Sequence, residues 1–224
     1  MGVLPPEARW LGEQMAALEV AKFSPLLNVG SATADFRLRT QPYVQRDIFD
    51  PLERLGVSVV HTDLASGPGV DVTGDLMDGD FIDELRERAP RSALISNLLE
   101  HVPDPGRVAR AILDILPTGA YLFVSGPHDW PHHPDPIDNG LRPTPNELAA
   151  LFPGTSMLHG TTVAADPLWR WSAADRGGRS LAQLVARLCV PVYKPGEWVK
   201  AVRQAPYLVG RRPTAVVVVL QKGT

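Results

Sequence analysis

The sequence predicts an α/β fold: a mostly parallel sheet with helices packed on both faces. Three observations carry this expectation. Short apolar runs alternate with amphipathic stretches five times between Leu26 and Ser125. The first run, Leu26-Leu27-Asn28-Val29, turns on Gly30-Ser31-Ala32 into a stretch that can open a helix at Thr33. Finally, Gly30, Asp63, Asp75, Asn97 and Gly126 all fall at the carboxyl ends of the runs, the edge where such sheets bind ligands.

Size and composition bound the rest. A chain of 224 residues suffices for one domain with a single buried core. A net charge of −3 gives no footprint for nucleic acid or an anionic membrane surface. The single cysteine, Cys189, excludes an internal disulfide framework and fits a reducing compartment, with a buried thiol as the simplest reading. The longest purely apolar run, Ala215 to Leu220, is too short to span a bilayer. The first residues lack the basic-then-apolar layout of a secretory signal, so a cytoplasmic protein is expected. Proline is the one deviation, at 22 residues, and it clusters between Pro127 and Pro145, marking a long ordered loop.

Pro5 to Lys22 reads as a helix, with prolines in its first turn and Leu11, Met15 and Leu18 at helical spacing. A second helix is expected over Gln45 to Leu55, ended by Gly56. The second strand is Val57 to Val60, closing on His61-Thr62-Asp63. An acid at that strand end can hold a ribose diol, because its two oxygens accept both hydroxyl protons; a turn-forming aspartate is the alternative. Val70 to Leu76 reads as the third strand, and Asp80 as the cap of a helix from Phe81 to Ala89. Ala93 to Ser96 is the fourth strand. Asp104 caps a helix that Pro105 starts, and Ala120 to Ser125 is the fifth strand.

These residues resemble a class I S-adenosylmethionine-dependent methyltransferase. Leu27-Asn28-Val29-Gly30-Ser31-Ala32 resembles the first motif of that family, Asp63 the acid after the second strand, and Gly74-Asp75-Leu76 the adenine-side motif. Asn97-Leu98-Leu99-Glu100-His101-Val102 resembles the signature after the fourth strand in the branch that methylates small molecules, and Thr118-Gly119-Ala120 stands where that branch usually has Pro-Gly-Gly. The resemblance implies a Rossmann-like sheet of seven strands, the last antiparallel, with an N-terminal helix and an insertion in the C-terminal half. Ser156 to Val163 and Ala215 to Gln221 are the closing strands, the Val-rich second one entering beside the fifth. One domain then spans 1–224, with a cap helix in 1–24 and the insertion in 164–212. The implied cofactor is S-adenosylmethionine, with S-adenosylhomocysteine as product. Asn28, Gly30, Ser31 and Ala32 would lie against its methionine part. Asp63 would take the ribose, Asp75 and Leu76 the adenine, and Asn97 and Leu98 the turn beneath the sulfonium. Asn28 stands where the family carries an acid, and Ala32 and Ala34 where it carries glycines.

Three readings compete for Gly126 to Pro145. The first is structural: prolines fix an extended path, and Thr144-Pro145-Asn146-Glu147 is a capping box. The second makes His128 or His133 a general base that takes the proton of an acceptor hydroxyl. The third is a metal site from His128, His132, His133, Asp135 and Asp138, which the stiffness of the segment disfavours; no metal is assigned. His101 is either a third candidate base or a helix-start histidine bonded to backbone. Trp169, Trp171, Tyr193 and Trp198 fit an acceptor roof, a homodimer contact or plain core packing. Arg176, Arg179, Arg211 and Arg212 read as solvated surface charges.

The expected activity is methyl transfer to a small-molecule acceptor, a hydroxyl before nitrogen or carbon, on a sugar-like or secondary-metabolite substrate. The alternatives are a methyltransferase fold reduced to a binding scaffold, motivated by Asn28 and the alanines, and an enzyme that uses the cofactor for cyclisation without transferring methyl.

Overall fold

The computed structural model describes residues 2–132, 137–167, 202, 206–207 and 210–223. Seven strands form one sheet in the order β3-β2-β1-β4-β5-β7-β6. They are β1 (Leu26–Val29), β2 (Val59–Asp63), β3 (Val72–Thr73), β4 (Ser92–Ser96), β5 (Tyr121–Asp129), β6 (Thr155–Ala164) and β7 (Thr214–Lys222). All neighbouring pairs are parallel except the two made by β7, which is antiparallel to both β5 and β6. Both closing strands and the entry of the Val-rich one beside β5 match the sequence expectation.

The strand period of two splits the core into two layers. On one face Leu26, Leu94, Phe123 and Val219 pack under α1 (Pro5–Ala16), α2 (Val20–Phe23) and the helical stretch that follows β1. That stretch holds π-type turns at Phe36–Thr40 and Gln45–Phe49 around α3 (Pro42–Val44), and ends as α4 (Asp50–Arg54). On the other face Leu27, Val29, Ile95, Val124 and Val218 meet α5 (Gly79–Glu87), α6 (Pro105–Ile115) and α7 (Pro145–Ala150). Residues Ala215 to Leu220 are buried on both faces, which is why β7 reads as an unbroken apolar run.

Several boundaries differ from expectation. The N-terminal helix stops at Ala16, because Glu19 is extended before α2 begins. Asp78, not Asp80, caps α5: its carboxylate accepts from the Asp80 N–H. The third strand shrinks to Val72–Thr73, and the crossover from β2 to β3, residues 64–71, contains no helix. The fifth strand continues through Pro127 to Asp129. Proline donates no ladder bond, and the register against β7 shifts between Pro127 and Asp129, the kind of irregularity at which a strand accommodates it. His128 therefore sits on a strand. The capping box at Thr144 forms as expected, with Glu147 returning to the Thr144 N–H at 2.8 Å. Most of the 164–212 insertion, with Trp169, Trp171, Arg176, Arg179, Cys189, Tyr193 and Trp198, lies outside the described residues, as does His133.

Candidate functional site

Two sharp turns meet above the gap between β1 and β4. Gly30 has φ +70°, and a Cβ there would come within 3.0 Å of the Leu98 side chain. Its hydrogen atom is thus what lets the two turns approach. Asn97 also adopts a left-handed conformation, φ +50°, which asparagine tolerates better than most residues. Ala32 is left-handed too, at φ +50°; this is one of the positions where the resembling family carries glycine. The Gly30 and Ser31 N–H groups both donate to the Thr62 carbonyl on β2, at 2.9 and 3.0 Å.

Asp63 locks this corner. Its Oδ2 accepts from the Ala32 N–H at 2.8 Å and its Oδ1 from the Ala65 N–H at 3.1 Å. Each oxygen keeps a further lone pair, so a fixed and half-buried carboxylate faces the edge. Asp75 is exposed and accepts from the Met77 N–H at 2.9 Å, while Leu76 packs on the core.

Asn28 does something the sequence did not suggest. Its amide donates to His61 Nδ1 at 2.9 Å across the in-register pair of β1 and β2. This fixes His61 as the neutral tautomer with hydrogen on Nε2. Burial and the nearby Arg37 charge lower His61 to about 4, and Phe49 packs edge-on to its ring at 5.1 Å.

The histidines are largely tied to backbone. His101 Nδ1–H donates to the Ile137 carbonyl at 2.6 Å, His128 Nδ1–H to the Pro143 carbonyl at 2.8 Å, and His132 Nε2–H to the Asp138 carbonyl at 3.1 Å. For His101 and His128 the basic nitrogen is therefore Nε2. In His101 that atom lies 3.7 Å from Glu100 Oε1. Asn139 stitches the loop onto the same turn, its amide donating to the Leu99 and Val102 carbonyls at 2.8 Å each. Among the described residues no group of His, Cys, Asp and Glu has the arrangement of a metal site.

Two buried acids escaped the sequence reading. Glu7, on the first turn of α1, has no exposed surface. Its Oε2 accepts from the Leu4 N–H at 2.8 Å, while Oε1 accepts from Asn97 Nδ2 at 2.7 Å and Ser96 Oγ at 3.2 Å. Glu100 is 1 % exposed, and neither of its oxygens has a hydrogen-bond donor from another residue. Burial raises both carboxyls to about 7. In Glu7 hydrogen bonds from Leu4, Ser125, Asn97 and Ser96 oppose the rise; in Glu100 its own backbone N–H and the charge of Arg142 oppose it, while the charge of Glu7 adds to it. The signal was faint: one acid at the third position of a Pro-Pro helix start, the other inside the apolar Leu98-to-Val102 stretch. Beyond Leu4, Trp130 packs on it and lies 5.8 Å from Tyr207. Tyr207 lines an open cleft with Pro131, His132, Pro206 and Arg211. Arg211 is exposed, as expected of a surface charge, and also pairs with Asp129 at 2.6 Å. Arg212 likewise reaches Asp166 at 3.2 Å.

No protein-family model and no curated protein matches the chain. Solved structures do. A putative sarcosine dimethylglycine methyltransferase from Galdieria sulphuraria aligns with 96% of this chain and 84% of its own, at TM-score 0.57 and 13% identity. Coclaurine N-methyltransferase, solved with N-methylheliamine and S-adenosylhomocysteine, aligns over 97% and 70%, at TM-score 0.54 and 11% identity. The [4+2]-cyclase SpnF aligns over 98% and 82%, at TM-score 0.52 and 17% identity. At such identities the likeness speaks of architecture. The strand order, the single antiparallel strand and these neighbours together give the chain the fold of the class I S-adenosylmethionine-dependent methyltransferases.

Proposed function

We propose that the protein transfers a methyl group from S-adenosylmethionine to a small-molecule acceptor, with a hydroxyl as the favoured nucleophile. The observation that carries this is the corner built by Gly30, Ala32, Asp63 and Asn97 at one edge of the sheet. The residues fit the cofactor: Asp63 keeps one lone pair per oxygen for a ribose diol, Gly30 and Leu98 close the floor, and Asp75 and Leu76 stand on the adenine side. Bound S-adenosylmethionine supplies an electrophilic methyl group. The chain's part is to hold the acceptor in line with it, exclude water and take the acceptor's proton.

For the proton, His101 and His128 each offer Nε2, and His133 remains a candidate on sequence grounds. Glu100 joins them, because an acid raised to about 7 is matched to a proton transfer at neutral pH. A second reading, cyclisation without methyl transfer, is favoured by the cyclase among the structural neighbours. Calorimetric titration with S-adenosylmethionine and S-adenosylhomocysteine tests the cofactor: micromolar binding abolished by Asp63→Ala supports it, and no binding to the folded protein at millimolar ligand refutes it. Label appearing in any product from methyl-labelled cofactor separates transfer from cyclisation.

A further inference from the structure

The Glu7–Glu100 cluster leaves three buried acceptors without a donor from another residue. These are the two oxygens of Glu100 and the Oδ1 of Asn97, which is 9 % exposed. Glu7 already takes the Leu4, Ser96 and Asn97 donors nearby. Of the described cationic groups, His101 Nε2 approaches Glu100 Oε1 to 3.7 Å, and Arg142 is held on Asp138 by bonds of 2.6 and 3.1 Å. Buried acceptors without donors are costly, and two like charges together more so. The cluster also has room. A Cβ on Gly126 would meet nothing nearer than Glu100 Oε2 at 3.9 Å, so β5 leaves a methyl-sized space against that oxygen.

We propose that Glu7, Glu100 and Asn97 Oδ1 form a subsite for a protonated amine carried by the acceptor, which makes the acceptor an amino compound such as an amino sugar or amino alcohol. A protonated amine brings three donors and a compensating charge to three buried acceptors. Its place at the ends of β4 and β5, on the far side of Asn97 from the Gly30 turn, is the acceptor side of the corner. This inference rests on the methyltransferase reading for the word acceptor, but not for the ammonium site itself.

Methylammonium is the probe, added as its chloride and compared with tetramethylammonium chloride at equal ionic strength. The readouts are melting temperature and calorimetric binding, each with and without S-adenosylhomocysteine. Saturable stabilisation by methylammonium, absent with tetramethylammonium and unchanged by S-adenosylhomocysteine, is the expected result. Glu100→Gln and Glu7→Gln should each weaken it by about tenfold or more, the scale of one charged hydrogen bond. Gly126→Ala fills the space without a contact under 3.9 Å, so it should abolish the response with the fold intact. No specific stabilisation of the wild type, or a response that survives Gly126→Ala, overturns the subsite. If methylammonium competes with S-adenosylhomocysteine but not with 5′-methylthioadenosine, which lacks the amino-acid part, the seat belongs to the cofactor's own ammonium and the acceptor assignment is overturned. Absence of binding by both nucleosides would instead refute the methyltransferase reading, while the methylammonium result would still decide the ammonium site.

Discussion

Removing the charge of Glu100 should stabilise the ligand-free protein increasingly as pH rises from 4.5 to about 7, and fully only above that. Its carboxyl rises from an ordinary 4.5 to about 7, chiefly by burial and next by the charge of Glu7. A raised acid means the folded chain holds a proton that the unfolded chain has lost. Stability therefore falls as pH rises through the window from 4.5 to about 7, and the loss is complete above it. At about 1.4 kcal/mol per unit, the penalty is on the order of 3 kcal/mol. Glu100→Gln keeps the shape and cannot ionise, so urea unfolding at alkaline pH should show a gain of up to that size. Near the bottom of the window, where the wild-type acid is protonated, the two proteins should be equally stable. The gain should slightly exceed that from Glu100 alone, because Glu7 then ionises beside a neutral neighbour. Equal stability at both ends, or a loss at alkaline pH, would refute the picture of an uncompensated buried acid pair.

Other outcomes follow from the same geometry. Ala32→Gly should raise stability by a few tenths to about 1 kcal/mol in thermal unfolding, since φ +50° strains a residue with a Cβ more than the flexible unfolded glycine costs; a clear loss would show that the methyl packs usefully. His61 should show no imidazole titration between about pH 5 and 8 by NMR, and Asn28→Ala, by removing the Nδ1 donor, should let it begin to titrate nearer its ordinary range. Tyr207 is pushed up to about 12 by burial and then by Asp129, so the phenolate absorbance transition should move down in Asp129→Asn. Asp63→Ala should weaken S-adenosylhomocysteine and 5′-methylthioadenosine alike, because it frees the Ala32 and Ala65 N–H groups and loosens the nucleoside corner. A loss confined to the former would place Asp63 at the amino-acid end instead.

The architecture was legible because it depends on local pattern: apolar runs of strand length, capping residues and the Gly30 turn announce themselves within a few positions. The closing strands were legible for the same reason, down to the fully buried Val216 to Leu220. Boundaries failed where the deciding contact is remote. Nothing near Pro127 says that β5 continues, since only the shifted register with β7 tolerates it. Asp78 and Asp80 are both competent caps on sequence alone. The site divides along the same line. Asp63, Gly30 and Asn97 sit at strand ends, where topology alone brings them together. Glu7 reaches Ser96 and Asn97 across some ninety positions, contacts that no spacing rule contains. The histidines drew attention for their chemistry, but backbone carbonyls hold three of them.

The seat of β7 between β5 and β6 also shapes how the chain must be made. As it emerges from the ribosome, β6 lacks its partner strand, because among the described residues it pairs only with β7, and residues 165–213 come between them. Until Thr214–Lys222 is synthesised, β5 stands as a bare edge of apolar residues and β6 as an orphan ribbon, both open to pairing with another nascent chain. The half from β3 to β5 can assemble early from parallel neighbours, whereas the other half waits on one nine-residue strand. A late-arriving Val-rich keystone makes this a sheet whose yield in the cell depends on how long that edge stays uncovered.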